Sequence, residues 1–173
     1  MLAHASALGL SIPKSLVTND CDVLGKFRKL ESIVKPLNGG GLCQDLEKVI
    51  ASTPARAGCT AQPAIVQERI PGPDLRVYGV GDQLFAFNLE SPSLDYRELQ
   101  DATITQCDVP SVVRKSLLQL MAQLDLDWFA ADFKIPSVGA PVFLEVNSNP
   151  MFSVFDVVSK GALTSAMLDQ LHK

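Results

Sequence analysis

The stretch from Trp128 to Asn147 constrains this chain most. Trp128-Phe129-Ala130-Ala131-Asp132-Phe133-Lys134-Ile135 and Val142-Phe143-Leu144-Glu145-Val146-Asn147 both read as strands, and Pro136 to Pro141 between them is rich in turn residues. Strand side chains alternate between two faces, so one pairing choice sorts them all. If Ile135 faces Val142 where the hairpin closes, then Ala131, Phe133, Ile135, Val142, Leu144 and Val146 share an apolar face. Asp132, Lys134, Glu145 and Asn147 share the other, with Asp132 directly across from Glu145.

Facing carboxylates, with Cβ atoms only ~5 Å apart, repel. Two readings offset that repulsion. A hard divalent cation, which prefers carboxylate, carbonyl, phosphate and water oxygens, fits Asp132 and Glu145, with the amide oxygen of Asn147 on the same face. Alternatively, Lys134 neutralises the pair in a partly solvated ion cluster.

The chain has 173 residues, 47% of them hydrophobic, enough for one domain with a sizeable core or one domain plus a small lobe. A net charge of −4, with both signs scattered, gives no argument for a nucleic-acid or membrane partner. Apolar runs are too short for a membrane span, and Met1 to Ala7 lacks the pattern of a signal peptide, so a cytoplasmic location is expected. The four cysteines are widely spaced with no CxxC, and the two histidines lie near the termini. That argues against zinc, a disulfide framework and histidine-based catalysis.

In chain order, residues 2–9 read as the end of a helix stopped at Gly9. Leu16-Val17 reads as a strand, and Thr18-Asn19-Asp20 caps a helix over 21–30. Ser32 to Leu37 is a strand that opens into Asn38-Gly39-Gly40-Gly41. A strand carrying Lys35 before a glycine-rich loop suits phosphate binding, because glycine N–H groups can converge on an anion. A plain hairpin tip explains the same residues. Neither GxxxxGK[ST] nor GxGxxG is present. Residues 42–63 are ambiguous between helix and strand around Leu46, Val49 and Ile50, with loop at Gly58-Cys59-Thr60. Ala64 to Glu68 is a buried strand. Leu75–Val80 and Gln83–Phe87 form a hairpin closed by Gly81-Asp82 as a type II′ turn, with Arg76 and Tyr78 on one face and Leu75, Val77 and Gly79 on the other. Ser91 to Gln106 reads as a polar loop holding Asp95-Tyr96-Arg97. A helix from about Pro110 buries Val113, Leu117, Leu120, Met121 and Leu124. Asp156 caps a last helical stretch that breaks at Gly161 and runs to about Leu171.

These segments stand in a telling order: Ile33-Val34-Lys35-Pro36 with its glycines, Val66 to Pro71, Asp74-Leu75-Arg76-Val77, Val80-Gly81-Asp82, Asp95-Tyr96-Arg97, Ala131-Asp132, and Leu144 to Pro150. From about Leu8 to the C-terminus the chain resembles the ATP-grasp superfamily, and within it the RimK-type and glutathione-synthetase-like carboxylate–amine ligases. The resemblance implies an α+β fold of two lobes, with mostly antiparallel sheets and flanking helices, gripping ATP. Residues 1–66 would form the small lobe with the phosphate loop, and 67–173 the large lobe with the metal-binding hairpin. It implies ATP and Mg²⁺ (or Mn²⁺) as cofactors. Lys35 would reach the phosphates; Gln67, Glu68, Arg69 and Ile70 would meet the adenine; and Asp74 would lie near the ribose. Asp132, Glu145 and Asn147 would be the metal ligands, and Arg76 and Arg97 the catalytic cations for the anionic groups. The implied reaction joins a small-molecule or peptide carboxylate to an amine or thiol through an acylphosphate. A catalytically incomplete nucleotide-binding module, or a truncated fragment of such a ligase, is the alternative. The family's usual N-terminal domain and second phosphate-facing lysine have no counterpart, since Lys14 lies beyond the helix. A truncated core, a homo-oligomer, or a partner supplying that domain is expected.

Overall fold

Apolar–polar alternation and turn chemistry give the chain fifteen described elements. In order they are α1 (Leu2–Ala7), β1 (Ser15–Asp20), α2 (Cys21–Phe27), β2 (Ser32–Pro36), β3 (Gln44–Asp45), α3 (Leu46–Ser52), β4 (Cys59–Glu68), β5 (Asp74–Val80), β6 (Gln83–Glu90), β7 (Thr103–Cys107), α4 (Ser111–Leu124), β8 (Trp128–Lys134), β9 (Val142–Asn147), α5 (Ser153–Val158) and α6 (Ala162–Leu171). The computed structural model describes residues 1–27, 31–37, 41–54, 58–95 and 102–172. They fall into two units. Met1–Ile12, Pro71–Glu90 and Ala102–Lys173 make one, and Pro13–Ile70 with Ser91–Asp101 makes the other.

The first unit is built on a five-stranded antiparallel sheet of order β7-β6-β5-β8-β9. One face carries Leu75, Val77, Ala86, Phe129, Ala131, Phe133 and Phe143 against Val113, Leu117, Leu120 and Met121 of α4 and Ala5 of α1, all buried. Each of the Leu, Val, Phe and Met side chains contributes roughly 1.5–3 kcal/mol of transfer free energy, so this layer dominates the unit's stability. The stripe expected on α4 is the one observed, with Leu124 partly buried beside it. The β5–β6 turn also forms as expected. Val80 pairs with Gln83, and Gly81 takes φ +56 while Asp82 stays at negative φ, the backbone signature of a II′ turn.

The expected hairpin register holds at the Asp132–Glu145 end and slips at the other. Asp132 pairs with Glu145 and Ala131 with Val146, but Phe133 pairs with Phe143 and Lys134, not Ile135, with Val142. Leu144 is the extra residue of a β-bulge. Strict alternation would send Phe143 and Val146 to opposite faces. The bulge lets both turn to the core, where the Phe143 ring meets Phe133 edge-on at 5.5 Å. Core packing thus overrides the simple pattern.

Edge strand β9 is flanked by the chain's first residues. Ser11 bridges Val142 in parallel, Phe143 N–H donates to the Ser11 carbonyl at 2.8 Å, and Val146 N–H reaches Met1 Sδ at 3.2 Å. On the opposite edge, Thr103–Cys107 is a strand and not part of a polar loop. It pairs with β6 from Glu90↔Thr103 to Ala86↔Cys107. Alternating β-branched Thr103 and Thr105 suit such an edge.

Helix α4 ends in a Schellman motif. Asp125 N–H donates to Ala122 and Leu126 N–H to Met121, with Asp125 at φ 53 and Leu126 against the core. A left-handed non-glycine residue is strained, and Asp125 is exposed. Asp125→Gly is therefore expected to stabilise the chain by about 0.5 kcal/mol after the unfolded-state entropy term. A thermal midpoint raised by roughly 1–2 °C in calorimetry checks it.

Helices α5 and α6 break at Lys160-Gly161, and Asp156 caps α6 across the break. Its Oδ1 accepts the Thr164 N–H at 3.0 Å and its Oδ2 accepts the Thr164 hydroxyl. These bonds, the hydroxyl first and the backbone second, hold its pKa below the ordinary 3.8. A depressed carboxylate contributes stability above its unfolded pKa and loses it as pH falls through the folded one. Protection of the Thr164 amide against hydrogen exchange should therefore persist until pH drops below the usual carboxylate range and then collapse. An Asp156→Asn chain should show no such step.

The second unit has an antiparallel sheet of order β1-β4-β2-β3 over a core of Leu24, Val34, Leu46 and Val66. Asp20 caps α2, its Oδ1 accepting the N–H groups of Asp22 and Val23. The described part of the ambiguous region consists of strand β3, helix α3 and the start of β4. Cys59 and Thr60 belong to that central strand, whose extra length lets Cys59 pair with Asp20. Among the described residues no helix is long and apolar enough to cross a membrane.

Candidate functional site

The face of the five-stranded sheet away from α4 carries the polar residues. One rung across it reads Gln106, Phe87, Arg76, Asp132, Glu145, each paired with the next. A neighbouring rung places Asp74 opposite Lys134, and the other places Tyr78, Ala130 and Asn147 in line. Strand pairing therefore brings Arg76, Asp132 and Glu145 together, with Asn147 two residues beyond Glu145 on β9.

Arg76 supplies the positive charge that meets Asp132. Its Nε donates to Asp132 Oδ1 at 2.7 Å and its Nη2 to Oδ2 at 2.8 Å, a forked ion pair with both side chains mostly buried. Lys134 does not serve that role. Its Nζ lies 2.9 Å from Asp74 Oδ2 and 3.2 Å from the Gly72 carbonyl. Asn147 Oδ1 accepts the Asn149 N–H at 2.9 Å, which fixes the amide oxygen toward its own turn.

Arg76 rests on aromatic rings. Its Cζ lies 5.5 Å from the Phe155 ring centre and 6.0 Å from that of fully buried Tyr78. Tyr78 stacks on Trp128 at 5.6 Å and donates its hydroxyl to the Met151 carbonyl. Sequence reasoning placed Arg76 and Tyr78 on one face but missed the Arg76–Asp132 pair and the whole of Phe155. The β5–β8 pairing that joins Arg76 to Asp132 leaves no local signal.

The four-stranded unit holds the other expected residues. Lys35 lies on β2 opposite Ile65. Gln67, 2% exposed, donates its amide to Ser15 Oγ at 3.0 Å, while its buried Oε1 finds no partner among the described residues. Such an orphan acceptor costs roughly 1–3 kcal/mol unless a donor meets it. Glu68 pairs with the Lys14 backbone through its N–H at 2.9 Å and its Oε2 at 3.3 Å. Arg69 lies 3.8 Å from Asp45, and Ile70 follows half-buried at the end of β4. Arg97, together with Asn38, Gly39 and Gly40 of the glycine-rich loop, lies outside the described residues.

The donor chemistry of Asp132, Glu145 and Asn147 fits a hard divalent cation. All three offer oxygen, and each Asp132 oxygen keeps a lone pair beyond its bond to Arg76. Among the described residues no group of three or more His, Cys, Asp or Glu side chains forms a cluster suited to a metal. Any cation here would therefore need the Asn147 amide or oxygens from a bound molecule.

No protein-family model matches the chain, and no curated protein does. Solved structures do match. The chain is similar to the ATP-grasp ligase PsnB complexed with precursor peptide PsnA2 and AMPPNP, at 26% identity and a TM-score of 0.77, over 99% of this chain and 58% of PsnB. It is also similar to the macrocyclase MdnC from Microcystis aeruginosa MRC bound with precursor peptide MdnA, at 23% identity and TM-score 0.74, over 96% and 58%. The D-alanine–D-alanine ligase from Bacillus anthracis complexed with ATP matches at 16% and 0.68, over 98% and 62%. Its two antiparallel sheets with flanking helices match the ATP-grasp fold of these neighbours, and the chain spans about three fifths of their length. The superfamily suggested by the motifs is thus the one its structural neighbours represent.

Proposed function

We propose that the chain is the nucleotide- and metal-binding part of an ATP- and Mg²⁺-dependent ligase (Mn²⁺ serving equally) that joins a carboxylate to an amine or thiol through an acylphosphate. The RimK-type and glutathione-synthetase-like ligases are the subgroup its motifs favour. The observation that carries the reading is the cross-strand pair Asp132–Glu145, with Asn147 beside it and Arg76 on the same rung, in a chain of this fold. Asp132, Glu145 and Asn147 would hold the cation, which supplies charge neutralisation at the phosphates when bound. Lys35 binds phosphate as a point charge. Gln67, Glu68, Arg69 and Ile70 take the base, and the buried Oε1 of Gln67 supports this because it meets no donor among the described residues. Asp74, held by Lys134, orients toward the ribose. Arg76 and Arg97 stabilise developing negative charge on the reacting groups, so positioning and electrostatics suffice without a side-chain nucleophile. The neighbours PsnB and MdnC are described with precursor peptides, which favours a peptide carboxylate as substrate.

A second reading, a module that binds nucleotide without turnover, is favoured by one observation: both oxygens of Asp132 already accept bonds from Arg76. One experiment separates the two. Titration of ATP with Mg²⁺ in a calorimeter gives heat under both, whereas ADP release on addition of peptide carboxylates and amines occurs only under the first. No heat with ATP and Mg²⁺ defeats both readings.

A further inference from the structure

A forked guanidinium–carboxylate pair is among the strongest side-chain interactions, and here it sits on the residue best placed to ligate a cation. The Arg76 and Asp132 side chains are only 15% and 21% exposed, so solvent screens their charges weakly. The guanidinium is also held from beneath by Phe155 and Tyr78, and Tyr78 is itself anchored to the Met151 carbonyl. Arg76 therefore cannot swing away at little cost. A divalent ion approaching Asp132 meets a fixed positive charge that already uses both carboxylate oxygens.

We infer that Arg76 is a built-in counter-ion that makes cation binding at Asp132 and Glu145 conditional on an accompanying polyanion. This inference rests on the cation site of the preceding reading. Alone, the cation must share Asp132 with the guanidinium and suffer its repulsion. Brought with a triphosphate, the same cation arrives with negative oxygens that compensate both charges, and the penalty disappears. Phe155 is a positioning residue in this scheme. Its ring lies 5.5 Å from the Arg76 guanidinium and also packs against Tyr78 and Phe87, so it holds Arg76 against Asp132 from a fixed aromatic base. The consequence is selection: free divalent ion is rejected, and the ion–nucleotide complex is accepted as a unit.

Mn²⁺ binding to the whole chain, followed by electron paramagnetic resonance with and without AMPPNP, tests this without any turnover. Arg76→Gln should bind Mn²⁺ alone about tenfold tighter than wild type, the expected release of one charge-assisted competitor. With AMPPNP present the gain should vanish or reverse. Phe155→Leu, which keeps the charge but frees it to move, should give a smaller rise in the same direction, and it serves where Arg76→Gln melts before the measurement. Adding Asp132→Asn to Arg76→Gln should abolish the gain. If wild type binds Mn²⁺ and neither variant binds it more tightly, the counter-ion role is overturned while the cation site stands. If Mn²⁺ binds neither wild type nor Arg76→Gln, with or without AMPPNP, the cation site itself is overturned.

Discussion

Replacing Gly79 with alanine should cost about 3 kcal/mol of stability, the upper end of what overpacking a dense core exacts. Gly79 sits on β5 directly opposite Phe129 on β8, and the Phe129 ring lies across the glycine. A Cβ at Gly79 would stand 1.9 Å from Phe129 Cε1 and 2.3 Å from Cζ, with backbone hydrogen bonds fixing both strands. The ring cannot step aside, because Phe129 is fully buried in the central apolar layer. Strand or ring must shift, and either move disturbs the whole layer between the sheet and α4. For a chain of this size the thermal midpoint should fall by roughly 6–12 °C. Urea denaturation reads the loss directly, and a Gly79→Ala, Phe129→Leu double variant should recover part of it because the smaller side chain yields the needed space. Equal midpoints for wild type and Gly79→Ala would mean that the Phe129 ring does not occupy this position.

The second large effect is expected at Asp132. Changing it to alanine removes the partner of a forked ion pair and leaves the Arg76 guanidinium partly buried against aromatic rings. Breaking a fully buried pair costs roughly 3–5 kcal/mol, and the residual exposure here reduces that to about 2 kcal/mol. The functional loss should be larger. Under the proposed function Asp132→Ala should weaken nucleotide binding in the presence of Mg²⁺ by about 100-fold, through loss of a charged cation ligand. Lys134→Ala provides the contrast. It breaks the Asp74 pair, which is more exposed, and should change stability by less than about 1 kcal/mol. Calorimetric titration on all three chains decides the matter. Unchanged Mg²⁺–nucleotide affinity in Asp132→Ala would remove this residue from the site.

Much of this architecture is legible in the amino-acid order, for reasons that differ by element. Alternation sorted the two faces, and an assumed closing pair of Ile135 with Val142 set Asp132 against Glu145; the hairpin closes on Lys134–Val142 instead, and the bulge restores the Asp132–Glu145 pairing. The α4 stripe and the Gly81-Asp82 turn follow from helical period and from the dihedral freedom a II′ turn demands. What escaped was non-local. The bulge at Leu144 exists because Phe143 and Val146 both seek the core, a demand visible only once Phe133 is known to lie opposite. Thr103–Cys107 was hidden among polar neighbours, although its alternating β-branched residues were a usable sign. The pairing of β5 with β8, which gives Asp132 its arginine, joins residues 56 positions apart and has no local mark. Phe155 belongs to a short helix whose sequence says nothing of the cation it supports.

The contacts along β9 cover part of an open sheet edge. An outer strand with bare amide and carbonyl groups invites a neighbouring chain to zip onto it and extend the ladder indefinitely. Here Ser11 and Met1 occupy part of that rim, taking up the Phe143 and Val146 amides. The opening dozen residues thus act as a guard rail, and a chain shortened past Ile12 would present a sticky border to its own copies.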